Sequence, residues 1–515
     1  MISHFANYSR LLMRLGSRAR IASVIAAAVT AATIVACNNA DITNVNHNPN
    51  APGKVTPQFL FPNAVTDVVG RARGGAMDLT FTSLWSQHIA MDRFTDEDHY
   101  SLRADNINGF WSGFYSGGLE DLATILAQNT AADKPNLVAP ALVTKSWTFG
   151  IMTDLWGDIP YSKANTGDVA NPPAYDTQKD IYTGLFADLK QASDLAGTTG
   201  AITGPTSVYG AADLIYAGDM VKWKRLANSL RLRYGLRLSK IDPATAAAQV
   251  TAAVTAGVMT SNADNALLKY PGDNTNNSPY YNTFTSREDQ HVSQTLVNTL
   301  KSLFISVAAS GDTTFDPRLP IYADPIVSSP TKAKFVGMPN GLPEDDATAV
   351  GLNNTSRIGT SLRQKTSASI LMRYDEVLFD EAEAAQRGWI SGNAGTLYNA
   401  AITASMQYYG IPDATITAYL ATPRVAFNAA TALDQIALQR WIALYNEGTE
   451  AYSEWRRTGV PTLKAGSGAI TSPQAVARRE LYPNSEQSFN NANLQTATSR
   501  QGDVGLLGRV WWDKP

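Results

Sequence analysis

Two stretches of the 515-residue chain combine aromatic rings with amides, guanidinium groups and carboxylates, a mixture suited to binding a ligand with both apolar and polar surfaces. Aromatic planes cover apolar faces of a ligand, and Asn, Asp, Arg and Gln bond its polar edges. The first stretch runs from Trp85 to Trp111 and carries Arg93, Tyr100 and Asn106. The second, YPGDNTNNSPYYNTFTSREDQH at 270–291, carries Tyr280, Tyr281, Asn282 and Arg287. Asn, Asp, Gly and Pro mark much of both as loop. Aromatic residues on a polar loop are binding candidates, unless they fold back onto the core. The expectation is a shallow groove with the two stretches facing each other.

Other chemistries find less support. His99 stands near Asp96, Glu97 and Asp98, and these could hold a metal, but the spacing also fits a solvated loop. The Asp- and Asn-rich loop 273–277 could supply oxygen ligands to a structural calcium. Asp375, Glu376, Glu381 and Glu383 invite comparison with a two-carboxylate glycosidase, whose carboxyls flank the bond ~5–9.5 Å apart. Asp375 and Glu376 are neighbours on a helix and diverge, as do Glu381 and Glu383. Asp380, Glu383 and Arg387 read as surface ion pairs at helical spacing. No G-x-S-x-G, H-E-x-x-H or P-loop is present. The chain therefore reads as a non-enzyme.

The N-terminus supplies a different kind of chemistry. Arg14, Arg18 and Arg20 precede a 16-residue apolar run, Ile21 to Ala36, which is short of the ~20 residues a membrane helix needs. It reads as a signal peptide over 1–36, and Met13 is an alternative start to Met1. The sole cysteine follows it at Cys37, the position of a lipidated first residue. With no second cysteine, an intramolecular disulfide and a Cys-based metal site are excluded. Residues 37–58 form a polar Asn/Pro-rich tether, with His47 alone in it. Net charge is −3, and the four Arg of the first 36 residues leave −7 beyond them. An acidic body argues against nucleic acid as a partner.

Positioning these groups falls to helices. Residues 433–459 carry Leu433, Ile436, Ala437, Trp441, Leu444, Tyr445, Gly448, Tyr452 and Trp455 at the 3.6-residue period of one long helix. Gly459 and Pro461 stop it. Further helices are expected at 110–128, 139–156, 179–195, 219–240, in the Ala-rich run after it, at 371–389 and at 395–409. Lys222, Lys224, Arg225, Arg231, Arg233 and Arg237 give 219–240 a basic exterior, read as a solvated face paired with neighbouring acids. Residues 305–360 and the tail after 478 read as mostly irregular. The plan is some eight to ten helices, often in neighbouring pairs, in one domain over 59–515 with loop-rich insertions near 270–365 and 460–515.

Five blocks resemble a known family. They are the lipobox and tether from Cys37, TDLWGDIPYSKA at 153–164, MRYDEVLFDEAEAAQRG at 372–388 and WIALYNEGTEAYSEWRRTG at 441–459. The fifth is the closing pattern of Arg479, Tyr482-Pro483 and Glu486 with Trp511–Lys514. Together and in order, these resemble the SusD/RagB family of nutrient-binding outer-membrane lipoproteins. Two departures are Ala477, where a proline is usual, and Glu454, where an Asp is common. The resemblance implies a mostly α, SusD-like fold of tetratricopeptide-like helix pairs, with long loops carrying the ligand site. It implies a surface-exposed lipoprotein anchored in the outer membrane through Cys37, with no cofactor and no catalysis. It implies capture of an oligosaccharide for a SusC-like TonB-dependent transporter. A RagB-like peptide binder and a scaffold of the uptake complex without its own ligand are the alternatives. The residues at 441–459 then belong to the scaffold rather than to a site.

Overall fold

The computed structural model describes residues 55–75, 77–167, 171–285, 287–304, 315–327 and 335–515. The leader, Cys37 and His47 lie outside them. The longer helices are α1 (Pro57–Ala72), α2 (Ala104–Ser116), α3 (Gly118–Gln128), α4 (Pro135–Trp156), α5 (Gln178–Leu195), α6 (Met220–Arg237) and α7 (Pro243–Ala256). They continue with α8 (Gln294–Leu303), α9 (Tyr374–Gln386), α10 (Ala394–Tyr408), α11 (Asp413–Leu420), α12 (Ala432–Ala443), α13 (Gly448–Thr458) and α14 (Asn491–Gln501). Four short strands are β1 (Ile89–Met91), β2 (Ala266–Leu268), β3 (Gln290–Val292) and β4 (Ser369–Met372).

The fold is mostly helical, as expected, with more helices than the eight to ten anticipated. Neighbours in sequence pack as pairs: α4 on α5, α5 on α6, α6 on α7, and α9 on α10. Local sequence explains the starts. Thr177, Asp219 and Asp242 cap α5, α6 and α7, each side chain accepting from a first-turn N–H. Pro243 adds a proline at the first position of α7, where its missing N–H costs nothing. α4 is buried on nearly every side and so runs through the centre of the core.

Three sequence expectations change. The segment 110–128 divides at Gly117, whose N–H bonds back to Gly113. The tail is less irregular than expected, because it contains α14 and a shorter helix at Asn484–Phe489. The third change is the most informative: 433–459 is two helices, α12 and α13. The chain leaves helical geometry at Asn446, with φ +73°. The periodicity survived because the interruption is only about one turn, and Leu433 at its start is exposed. A buried acid explains the break. Asp78 accepts from the Gly448 N–H at 2.9 Å, so the carboxylate meets the positive end of α13. It also accepts from Ser83 Oγ and Tyr280 OH. A Cβ on Gly448 would lie 2.1 Å from Asp78 Oδ1, so only glycine allows this approach.

α13 also carries the centre of a buried ionic lattice. Arg237 of α6 meets Asp154, Glu450 and Glu454. Arg440 of α12 meets Asp380 at 2.6 Å, Glu383 at 2.9 Å, and Glu454. Arg457 meets Glu383 at 2.6 Å and Glu454 at 2.7 Å, while Arg233 meets Glu376 at 2.5 Å. Asp380 and Glu383 are therefore not surface pairs, and Arg233 and Arg237 do not belong to a solvated face. Burial works against ionisation of Glu383, but the Arg457 and Arg440 guanidiniums hold it well below the usual range. Asp375 faces Arg373 at 3.0 Å, and both are buried. Asp375, Glu376 and Glu383 are thus buried and paired with arginines.

Candidate functional site

The antiparallel pair β1–β3 joins the two aromatic-polar stretches, with Met91 opposite Gln290. The pairing extends outward, as Asp92 N–H donates to Asp289 O at 2.9 Å. Just beyond, a groove of about 230 Å³ opens, bordered by Thr80, Phe94, Glu97, Arg103, Arg287 and Asp289 among others. It is smaller than the ~300–1,000 Å³ of an enclosing small-molecule pocket, so it suits a ligand laid across the surface.

Phe94 is the exposed aromatic of this groove, at 47% exposure. Its φ is +53°, an unusual conformation for a bulky residue that costs on the order of 1–3 kcal/mol. The surroundings enforce it: Glu344 accepts from the following N–H, Thr95, at 3.0 Å. The Arg287 guanidinium lies 4.0 Å from the Phe94 ring centre and also bonds Asp289. Arg93 reaches Asp289 at 3.8 Å. Across the groove, Glu97 is clamped by Arg103 at 2.6 and 2.8 Å and by Asn106 at 2.9 Å. Both groove carboxylates are therefore held by guanidinium groups, and neither stands ready as a free acid or base.

The structure sorts the sequence-based candidates by burial. Trp85 is wholly buried, its Nε1 donating to Glu97 O and its ring meeting Phe81, Tyr100 and Tyr452. Tyr100 is buried beside it. Trp111 is buried against Trp156 and Tyr482, with Nε1 donating to Glu486. Tyr280 is buried on Asp78. These four rings fold back onto the core; of them Trp111, though buried, borders a cavity of about 430 Å³ with Tyr115 and the exposed Phe489. Asn106 is spent on Glu97. Arg287 borders the groove, and Arg93 reaches it through Asp289. Tyr281 is half-buried near Lys365, and Asn282 is exposed. Sequence reasoning missed Phe94, the single ring inside the charged run 92–98.

Neither candidate metal loop forms a ligand cluster among the described residues. Asp98 is consumed by the Met91 N–H and Asn340, and burial pushes its carboxyl up to about 6. In the loop 273–277, Asp273 turns inward on its own backbone, accepting from Thr275 and Asn276 N–H groups.

Comparison with known proteins fits this architecture. The family model described as SusD-like, starch-binding associating with outer membrane, matches residues 49–483. This chain belongs to the SusD-like family. A solved chitin-binding protein is 29% identical with a TM-score of 0.76, covering 89% of this chain and 100% of its own. A chitin-binding SusD homolog from Flavobacterium johnsoniae is 26% identical, also with a TM-score of 0.76, covering 89% and 98%. A SusD homolog from Parabacteroides distasonis, 22% identical with a TM-score of 0.75 and covering 89% and 98%, shares the fold. No curated protein sequence matches the chain. No helix among the described residues is long and apolar enough to cross a membrane.

Two of the sequence blocks, 153–164 and the closing one, touch one another in the core. Asp154 accepts from Trp512 Nε1 at 2.7 Å and from Tyr182 OH at 2.5 Å. Trp156 donates to Leu481 O, and Arg479 donates to Trp156 O. Tyr482 OH donates to Asp158 O, while Glu486 accepts from Tyr175. These blocks of the chain are part of the scaffold.

Proposed function

We propose that this protein binds oligosaccharide at the Phe94 groove and passes it to a SusC-like TonB-dependent transporter of the outer membrane, to which a lipid on Cys37 tethers it. The observation that carries the reading is the half-exposed Phe94 ring, held in strained geometry beside Arg287, Asp289 and Arg103. One aromatic face with polar groups around it matches the two surfaces of a sugar. The chitin-binding descriptions of two relatives at 26–29% identity support a glycan over a peptide, with N-acetylglucosamine oligomers the first ligand to test. The committed state of Glu97 and Asp289 supports binding without turnover.

Affinity electrophoresis through gels containing chitin and starch derivatives tests this. The purified protein is expected to be retarded in at least one, and Arg287→Ala to run closer to a non-binding control. Retardation unchanged by Arg287→Ala in a folded variant would remove the groove from the reading. Release of shortened sugars would show an enzyme instead.

A further inference from the structure

The closing aromatic pair divides its roles. Trp512 is buried, while its neighbour Trp511 stays partly exposed, with its ring 6.3 Å from Tyr182. Trp511 and Lys179 are shared walls of two adjoining grooves of about 420 Å³ each, a volume in the range of small-molecule sites. Gln178 borders the first groove and is 1% exposed. Its amide Nε2 donates to Thr153 O, yet its Oε1 has no partner among the described residues. A buried acceptor left open beside a groove is a place for a ligand hydroxyl.

The charges here are unbalanced. The Lys179 ammonium forms no hydrogen bond or ion pair among the described residues, and of the groove carboxylates it is Asp242 that feels its charge. Arg231, on the second groove, bonds only the neutral Gln249 at 2.6 Å. The carboxylates at hand are engaged: Asp158 with Arg500, Asp513 with Arg478 and Arg509, and Asp242 as the cap of α7. The Lys190 ammonium, by contrast, is matched by Asp194. Unpaired cations beside an aromatic face, on a protein of net negative charge, select for an anion that also has an apolar ring face.

We propose that the grooves at Trp511 are a second saccharide site, specific for an acidic oligosaccharide. The Trp511 face takes a sugar ring, Gln178 Oε1 takes a hydroxyl, and Lys179 with Arg231 takes a uronate carboxylate. The site stands independently of the Phe94 groove.

Calorimetric titration of the purified protein with trigalacturonate, and with its neutral methyl ester, tests this at low and high salt. Trigalacturonate is expected to bind at least about tenfold more tightly than the ester, and to weaken with salt. Lys179→Gln is expected to weaken trigalacturonate about tenfold, and Trp511→Ala to abolish binding, while Phe94→Ala leaves it unchanged. Lys179 is exposed, so Lys179→Gln decides the matter even if Trp511→Ala fails to fold. No binding by the wild-type protein at millimolar ligand overturns the site, as does equal binding by a folded Lys179→Gln variant. Equal affinity for acid and ester overturns the acidic specificity. Loss on Phe94→Ala reassigns the ligand to the other groove.

Discussion

Guanidinium–carboxylate pairs occur in two settings here, and the contrast separates scaffold from site. Around α13, the side chains of Arg237, Arg440 and Arg457 are 0–2% exposed, and each meets two or three carboxylates. Around Phe94, those of Arg93, Arg103 and Arg287 are 46–57% exposed. Water reaches the arginines of the second set, although their carboxylates Asp92, Glu97 and Asp289 are only 2–8% exposed, so these pairs are partly screened rather than fully dry. The first set has no water to fall back on. Its members must stay together, because removing one strands the others as buried charges. One pair chemistry therefore fixes helices where both partners are dry, and stays open to water where the arginine is exposed.

The greatest effect is expected from Arg237→Ala, which leaves buried Asp154 with no guanidinium and takes one of their partners from Glu450 and Glu454. Chemical denaturation should show a loss of about 3–5 kcal/mol, or no folded protein at all. A loss under about 1 kcal/mol would mean the lattice is not dry. Next comes Glu480, buried like the lattice but without a bonded guanidinium. Burial pushes its carboxyl up to about 8, against the opposing Leu481 N–H and Arg479. Its native pKa lies above the unfolded value of about 4.5, so its stabilising contribution is full below that pH and is lost as pH rises to about 8. Glu480→Gln should flatten this decline, leaving the variant more stable than the parent above pH 8, by on the order of a few kcal/mol. Identical stability–pH profiles would place Glu480 in contact with water.

On the wet side, Phe94→Ala should weaken saccharide binding by about 1–2 kcal/mol, roughly 5- to 30-fold, read by affinity electrophoresis. Its melting temperature should move little, because the ring is half-exposed. A large drop in melting temperature would make Phe94 a scaffold residue instead. The smallest change is expected from Lys190→Ala. It removes an exposed pair with Asp194, both side chains 61% exposed, and should cost no more than about 0.5 kcal/mol.

Much of the helical scaffold was legible in sequence. Caps and periodicity are local, so α5, α6 and α9 fall within a few residues of expectation. The break between α12 and α13 was not legible, because its cause is Asp78, 370 residues away in the chain. The site was legible only in outline. The two stretches were singled out for their composition, and β1–β3 brings their ends together. Yet composition cannot tell a ring facing solvent from one facing the core, so it points to Trp85 and Tyr280, which are buried, and not to Phe94, which is half-exposed.

By itself, then, the sequence determined the helices, the family blocks and the regions where chemistry concentrates, because propensity, capping and composition act over a few residues. Tertiary structure alone decided which charges are dry and which rings are free. Burial is a property of neighbours contributed by distant segments: Glu454 is a lattice partner because α6, α9 and α12 surround it, and the Phe94 ring stays half-exposed because its neighbours, Arg287 among them, leave part of it open.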